Sequence, residues 1–314
     1  MDKLLVEEVI ECLPDNRTLF HYFKDRYVWM LLSSQVEKGK TVRELKQGPF
    51  KALIDKPMVK EQLAALGGSK LTNKWLSGLW ADELYPFVLT LSEWGGQSNV
   101  WQQTCRNGYN LVLQLNFSNA HQDAYKSLVK PTDHAMLNHY GHPVLRDGKR
   151  ETLAWARIDL DFTTGEALIE EIQSDWVREA QDMVEDAQRC QLDDIKELSW
   201  YSVKGKPADI IQYMETVLAP YRAFWDEAML AASIEFIRDE LGIKQIYYHS
   251  HDTGWRVKGI YYSKPPRSLY STLPRRFCFR KTADAPEFLK ADKRFRRVCK
   301  KVSDPIWYNL NFNM

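Results

Sequence analysis

Residues Leu168 to Trp176 read Leu-Ile-Glu-Glu-Ile-Gln-Ser-Asp-Trp, an apolar strand lead-in that runs straight into five polar positions interrupted only by Ile172. This run constrains the fold more than any other part of the chain. A strand buried on both faces does not carry such residues cheaply, because each unpaired buried polar group costs on the order of 1–3 kcal/mol. The polar groups therefore need partners, and the simplest arrangement that supplies them is a site. Regular pleating predicts that Glu171, Gln173 and Asp175 share one face, with Glu170, Ile172 and Ser174 on the other.

The chain has 314 residues, of which 44% are hydrophobic, enough for an ordinary buried core. The first residues, Met1-Asp-Lys-Leu-Leu-Val-Glu-Glu, place acids where a signal peptide needs a basic start and an apolar run, and no stretch approaches a bilayer span. Cys12, Cys105, Cys190, Cys278 and Cys299 are scattered and odd in number, which suggests neither a disulfide framework nor a zinc knuckle. A reducing cytoplasm and no metal are the expectations. The net charge of +1 hides a basic segment at Lys290, Lys293, Arg294, Arg296, Arg297, Lys300 and Lys301, which reads either as a solvated helix face or as a phosphate contact on a cofactor or nucleic acid.

Spacing of apolar residues predicts a core helix from Thr18 to Lys38 closed by Gly39, then shorter helices from Thr41 to Leu66 ended by Gly67 and Gly68. Residues 1–84 are thus expected to form a helical N-terminal region. Strand patterns follow at Phe87–Trp94 and Leu111–Phe117, a helix at Ala120–Val129, and a hairpin of Thr152–Asp161 and Glu166–Asp175 turning at Phe162–Gly165. A polar helical insertion covers about residues 177–222. Beyond it, Phe224–Leu241 is a helix stopped by Gly242, and Ile243–His251 is a strand ending in His249-Ser-His-Asp252. Further strands or strand edges are read at Leu269-Tyr270, Phe277–Phe279 and Ile306–Phe312. The fold expected is α+β, with a mixed, mainly antiparallel sheet over residues 85–314 flanked by helices.

Polar strand ends mark ligand sites in open sheets, so Glu171, Gln173 and Asp175 with His249 and His251 are candidates for general base, proton carriers and substrate donors. The two histidines also fit a metal reading at i, i+2, which no flanking ligand spacing strengthens. Arg256 and Lys258 over a glycine-flanked turn at Gly254–Gly259, and Arg267, Arg275 and Arg276 beside Tyr270, equip the C-terminal third for an anion. No P-loop, no Gly-x-Ser-x-Gly elbow, no His-Glu-x-x-His and no Gly-x-Gly-x-x-Gly occurs.

The order hairpin, polar strand, helix, strand and late Tyr resembles the core of the GNAT (GCN5-related) N-acetyltransferases over roughly residues 150–285. The resemblance implies an acyltransferase-like second half using acetyl-CoA or another acyl donor. It also implies an amine acceptor, on a small molecule or a protein, with Glu170 or Glu171 as the acid on the strand and Tyr270 protonating the departing thiolate. The chain departs from the family after Trp176, where Val177-Arg-Glu-Ala-Gln-Asp stands in place of the glycine-rich loop whose amides hold the cofactor pyrophosphate. Glu171-Ile-Gln-Ser-Asp-Trp176, with the later Trp225-Asp-Glu helix and Gly-Ile-Lys-Gln-Ile-Tyr strand, also resembles modules of large polyvalent proteins of phages and mobile elements, which implies a link to that biology. The expectation is a transferase, and the alternative is a binding protein for nucleic acid or another partner without turnover. If Glu171 serves only the chemistry, Glu171→Gln abolishes activity and leaves the thermal midpoint nearly unchanged.

Overall fold

The computed structural model describes residues 1–12, 17–36, 38–65, 70–76, 79–96, 102–132, 137–198, 203–261 and 264–313. In chain order the elements are α1 (Lys3–Glu11), β1 (Arg17–Tyr22), α2 (Arg26–Ser33), α3 (Val42–Gln47), α4 (Pro57–Ala65), α5 (Asn73–Leu76), β2 (Tyr85–Gly95), β3 (Tyr109–Phe117), α6 (Asn119–Val129), β4 (Thr152–Asp161), β5 (Glu166–Gln173), α7 (Asp175–Leu192), α8 (Pro207–Gln212), α9 (Ala219–Glu235), β6 (Gln245–His249), α10 (His251–Lys258), α11 (Thr272–Arg276), β7 (Arg280–Thr282), α12 (Glu287–Ala291), α13 (Lys293–Cys299) and β8 (Trp307–Asn311). The protein is α+β. The strands form one eight-stranded sheet in the order β1-β2-β3-β4-β5-β6-β8-β7. Every pairing is antiparallel except β5 with β6. A parallel pair needs a long crossover, and α7, α8 and α9 supply it. No helix among the described residues is long and apolar enough to cross a membrane.

One face of the sheet carries the main core: Leu113, Leu115, Ala156, Ile158, Ile169, Ile172, Ile246 and Tyr248 pack with α9 and with Trp176. The long helix α9 is buried along most of its length, and Gly242 ends the following turn with φ of 69°. On the opposite face lie two smaller apolar groups. Val112, Trp155 and Val144 form one, while Leu168, Tyr247, Trp307, Phe288 and Phe295 belong to the other. The carboxylates of Glu170 and Glu171 meet their partners on this second face.

The hairpin of β4 and β5, the helix after β3 and the helix-to-strand unit of α9 and β6 match the sequence expectations. The core helix expected over Thr18–Lys38 does not form as one element. Its first part is the edge strand β1, paired with β2, and only Arg26–Ser33 is helical. Phe20 and Tyr22 point inward with period two while Leu19 is 71% exposed, so the apolar spacing that imitates a helix is met by a strand and a separate helix. The N-terminal region therefore contributes to the sheet. The glycine pair expected to end the next helices, 67–68, lies outside the described residues.

Four further expectations are corrected nearer the site. Leu269-Tyr270 is part of a 3-10 turn, Arg267–Tyr270, and the strand expected at Phe277–Phe279 is displaced to β7. β6 stops at His249, so His251 does not share its strand face. Ser250 ends the strand by capping α10, its hydroxyl accepting a hydrogen bond from the Thr253 amide. Gly254 accordingly lies inside a helix rather than a turn, and Gly259 is the left-handed residue that closes it.

Candidate functional site

The pleat of β5 is interrupted where the polar run begins. Arg157 of β4 pairs with Glu171 and the next residue, Ile158, pairs with Ile169, which leaves Glu170 without a ladder partner. This bulge changes the expected alternation. Ile169 and Ile172, three residues apart, both enter the main core, and Glu170, Glu171 and Gln173 all turn to the opposite face. The two adjacent carboxylates therefore meet partners on the same side of the sheet.

Glu170 is wholly buried. Its carboxylate accepts the Cys105 amide at 2.9 Å, and its Oε2 lies 3.1 Å from Cys105 Sγ and 3.2 Å from His249 Nε2. Lys258 Nζ donates to the Glu170 carbonyl at 2.8 Å and stands 3.7 Å from Glu171 Oε2. Burial pushes the Glu170 carboxyl upward, but its hydrogen bond from His249 and the neighbouring positive charges outweigh burial and hold it low. Burial in turn lowers His249 and keeps the ring neutral in spite of Glu170. The charge that stabilises Glu170 is therefore that of Lys258 and Arg157, with His249 contributing a neutral N–H. Gly254 permits this packing, because a Cβ there would sit 3.0 Å from the His249 Cβ.

Glu171 forms a close ion pair with Arg157, whose guanidinium also donates to the Gln102 carbonyl at 2.7 Å and the Gln103 carbonyl at 3.2 Å and lies over the Trp94 ring. Burial opposes the charge on Glu171, while Lys258 and Arg157 together lower it below the ordinary carboxylate range. Next along β4, Asp159 is clamped by two bonds from Arg106 at 2.7 and 2.8 Å.

The end of the run forms a second group. Ser174 caps α7, its hydroxyl accepting from the Val177 amide at 3.2 Å and donating to the Leu153 carbonyl at 2.6 Å. Asp175, the first residue of the helix, accepts from Gln173 Nε2 and lies 2.7 Å from His142 Nδ1. Burial raises the Asp175 carboxyl, but the His142 hydrogen bond and charge, with Gln173 and Arg178, bring it below its usual range. Trp176 points the other way, into the core, donating to Tyr213 Oη at 2.8 Å. The α7 N-terminus thus carries a carboxylate of its own.

A cavity of about 340 Å³ opens beside the C-terminal end of β6, lined by Ser250, His251, Arg256, Arg267, Tyr270 and Lys281, with Asp252 and Asp304 also at its wall. His251 Nδ1 is 3.2 Å from Asp252 Oδ1 and its Nε2 is 3.3 Å from the Pro265 carbonyl. Tyr270 links this cavity to the polar strand: its side chain is buried, and burial together with the charge of Glu171 pushes its phenol well above the ordinary value.

Of the candidate residues, Glu171 and Lys258 meet in one network with His249, Gln173 and Asp175 meet at the start of α7, and His251, Arg256 and Tyr270 line the cavity. Arg276 instead pairs with Glu227 and stands 3.9 Å from Asp25, and exposed Arg275 donates to the Ser271 carbonyl. Arg267, read from the sequence with Arg275 and Arg276 as equipment for an anion, lines the cavity, whereas Cys105, His142, Arg157 and Lys281 escaped sequence reasoning. Arg157 left a signal, being a charge inside the apolar strand Leu153-Ala-Trp-Ala-Arg-Ile-Asp-Leu160, whereas Cys105 and His142 reach the site from loops.

Cys105, Glu170 and His249 are also the described residues whose ligand atoms converge, within 4.8 Å of one another. A cation there would displace the Nε2 proton to Nδ1, which is buried with no acceptor. The hydrogen-bonded triad is the arrangement this geometry favours. Searches of family models, curated proteins and solved structures find no match for the chain.

Proposed function

We propose that the protein is a group-transfer enzyme of the acyltransferase type, related in layout to the GNAT N-acetyltransferases, that moves an acyl or similar group from an anionic donor to an amine. The observation that carries this reading is the parallel pair β5–β6, with the β4–β5 bulge at Glu170 beside it and a cavity lined by Arg256, Arg267 and Lys281 at the C-terminal end of β6. Arg256, Arg267 and Lys281 suit an anionic donor. In the transfer, the amine attacks the acyl carbon, His251 at the cavity wall carries away the amine proton, and Tyr270 protonates the departing group. The high phenol of Tyr270 keeps that proton available. Glu171, clamped by Arg157 and Lys258, acts on this chemistry through its charge beside Tyr270 rather than as the base.

The acidic start of α7 argues for a donor held differently from acetyl-CoA in that family, since Asp175 occupies the place where helix amides would meet a pyrophosphate. Native mass spectrometry with acetyl-CoA, acetyl phosphate and longer acyl-CoAs tests the reading. A stoichiometric adduct that disappears in Arg256→Ala and Arg267→Ala, with transfer to an amine lost in Tyr270→Phe, is expected. Failure of every acyl donor to bind, or binding indifferent to both arginines, would remove the proposal.

A further inference from the structure

The basic segment near the C-terminus is a separate feature from the cavity. Asp292 caps α13 by accepting from the Phe295 amide, and Phe295 turns inward onto Trp307. That anchoring decides which way the cations face. Lys293, Arg296, Arg297, Lys300 and Lys301 fall at i, i+3, i+4, i+7 and i+8, one helical stripe continued into the turn after α13, and all five are exposed. Lys290 pairs with Glu287 and Arg294 donates to Asn107 at 3.3 Å. Among the described residues, no carboxylate stands within ion-pair distance of the five stripe cations. Like charges at this spacing repel by a few tenths of a kcal/mol per pair, a cost the fold does not itself offset. Beside the stripe lies an apolar hollow of about 380 Å³ walled by Ala283, Ala285, Phe295, Cys299 and Pro305, with Lys290, Arg296 and Lys300 at its rim.

We infer that the stripe and hollow form a docking surface for single-stranded nucleic acid. A row of cations tracks a phosphate backbone, and an apolar recess beside it accepts an unstacked base, which a duplex does not offer. The stripe spans about 12 Å at 1.5 Å per residue, the length of roughly three or four phosphates at about 3.4 Å each. Three or four phosphate contacts on a single strand give a salt slope of about −2.1 to −2.8 in log K against log[salt], so raising salt from about 50 to 200 mM weakens binding roughly twenty- to fiftyfold.

The test is fluorescence anisotropy of labelled oligothymidylate with the full chain across a salt series. Arg296→Ala, Arg297→Ala and Lys300→Ala combined should reduce the slope to about −1.4, whereas Lys51→Ala, on the exposed surface elsewhere, should leave it unchanged. Circular dichroism of the triple variant, matching that of the parent, ties the loss to the stripe. The inference is overturned if the oligonucleotide fails to bind at low salt or if the triple variant keeps the parental slope. It is equally overturned if polyglutamate or a duplex of equal length binds as tightly as the single strand.

Discussion

Glu171→Gln tests whether the polar strand is held by charge pairing or merely decorated by it. The substitution keeps size and shape, but it leaves Arg157 (side chain 1% exposed) and Lys258 (2% exposed) without the carboxylate that lies between them. Breaking a buried pair by neutralising one member costs about 3–5 kcal/mol. Glu170 remains nearby as a carboxylate and absorbs part of the loss, which places the expected effect at about 3 kcal/mol, or a fall in Tm of roughly 4–5 °C. Urea unfolding followed by tryptophan fluorescence, with calorimetry alongside, measures it. Arg157→Met and the double variant complete a cycle, and the double variant should be less destabilised than the sum of the two singles. A Glu171→Gln protein within 1 kcal/mol of the parent, with no coupling to Arg157, would refute the reasoning and restore the expectation that this residue serves the chemistry alone.

Acidification should remove the stability that rests on two buried neutral histidines. His121, stacked 3.4 Å from the Phe117 ring, is pushed down to about 3 by burial, and His249 is also lowered. The unfolded chain takes up protons near pH 6.5 that these folded rings refuse, so stability is present above that pH and declines as pH falls, by about 2–3 kcal/mol from His121 alone between pH 6.5 and 4.5. Urea midpoints across that window should show the slope, and His121→Phe should flatten it. Ser174→Ala removes both the cap on Val177 and the bond to the Leu153 carbonyl, and a thermal melt should report a loss of about 1–2 kcal/mol. Cys105 is buried against Glu170 with its thiol pushed well above the usual value, so a thiol reagent should label exposed Cys12 promptly and Cys105 only on unfolding. Rapid labelling of Cys105 in the folded protein would contradict its placement.

The α+β class, the β4–β5 hairpin and the helix-to-strand unit ending in His249 were legible in the sequence because each rests on local periodicity and a local stop such as Gly165 or Gly242. So was the importance of Leu168–Trp176, since a run of polar groups on an apolar strand announces that partners exist. What those partners are was settled only by the tertiary structure. The bulge at Glu170 is a property of pairing between two strands, and it brought Glu170 onto the face that Glu171 and Gln173 share. Cys105, His142, Arg157 and Lys258 lie 14 to 88 positions from the acidic residues they meet, while Arg275 and Arg276, close to Tyr270 along the chain, are directed elsewhere. Periodicity records how a segment relates to its own neighbours in the chain, whereas charge pairing across a sheet depends on register and on which loops fold over it, and neither is written in any one segment.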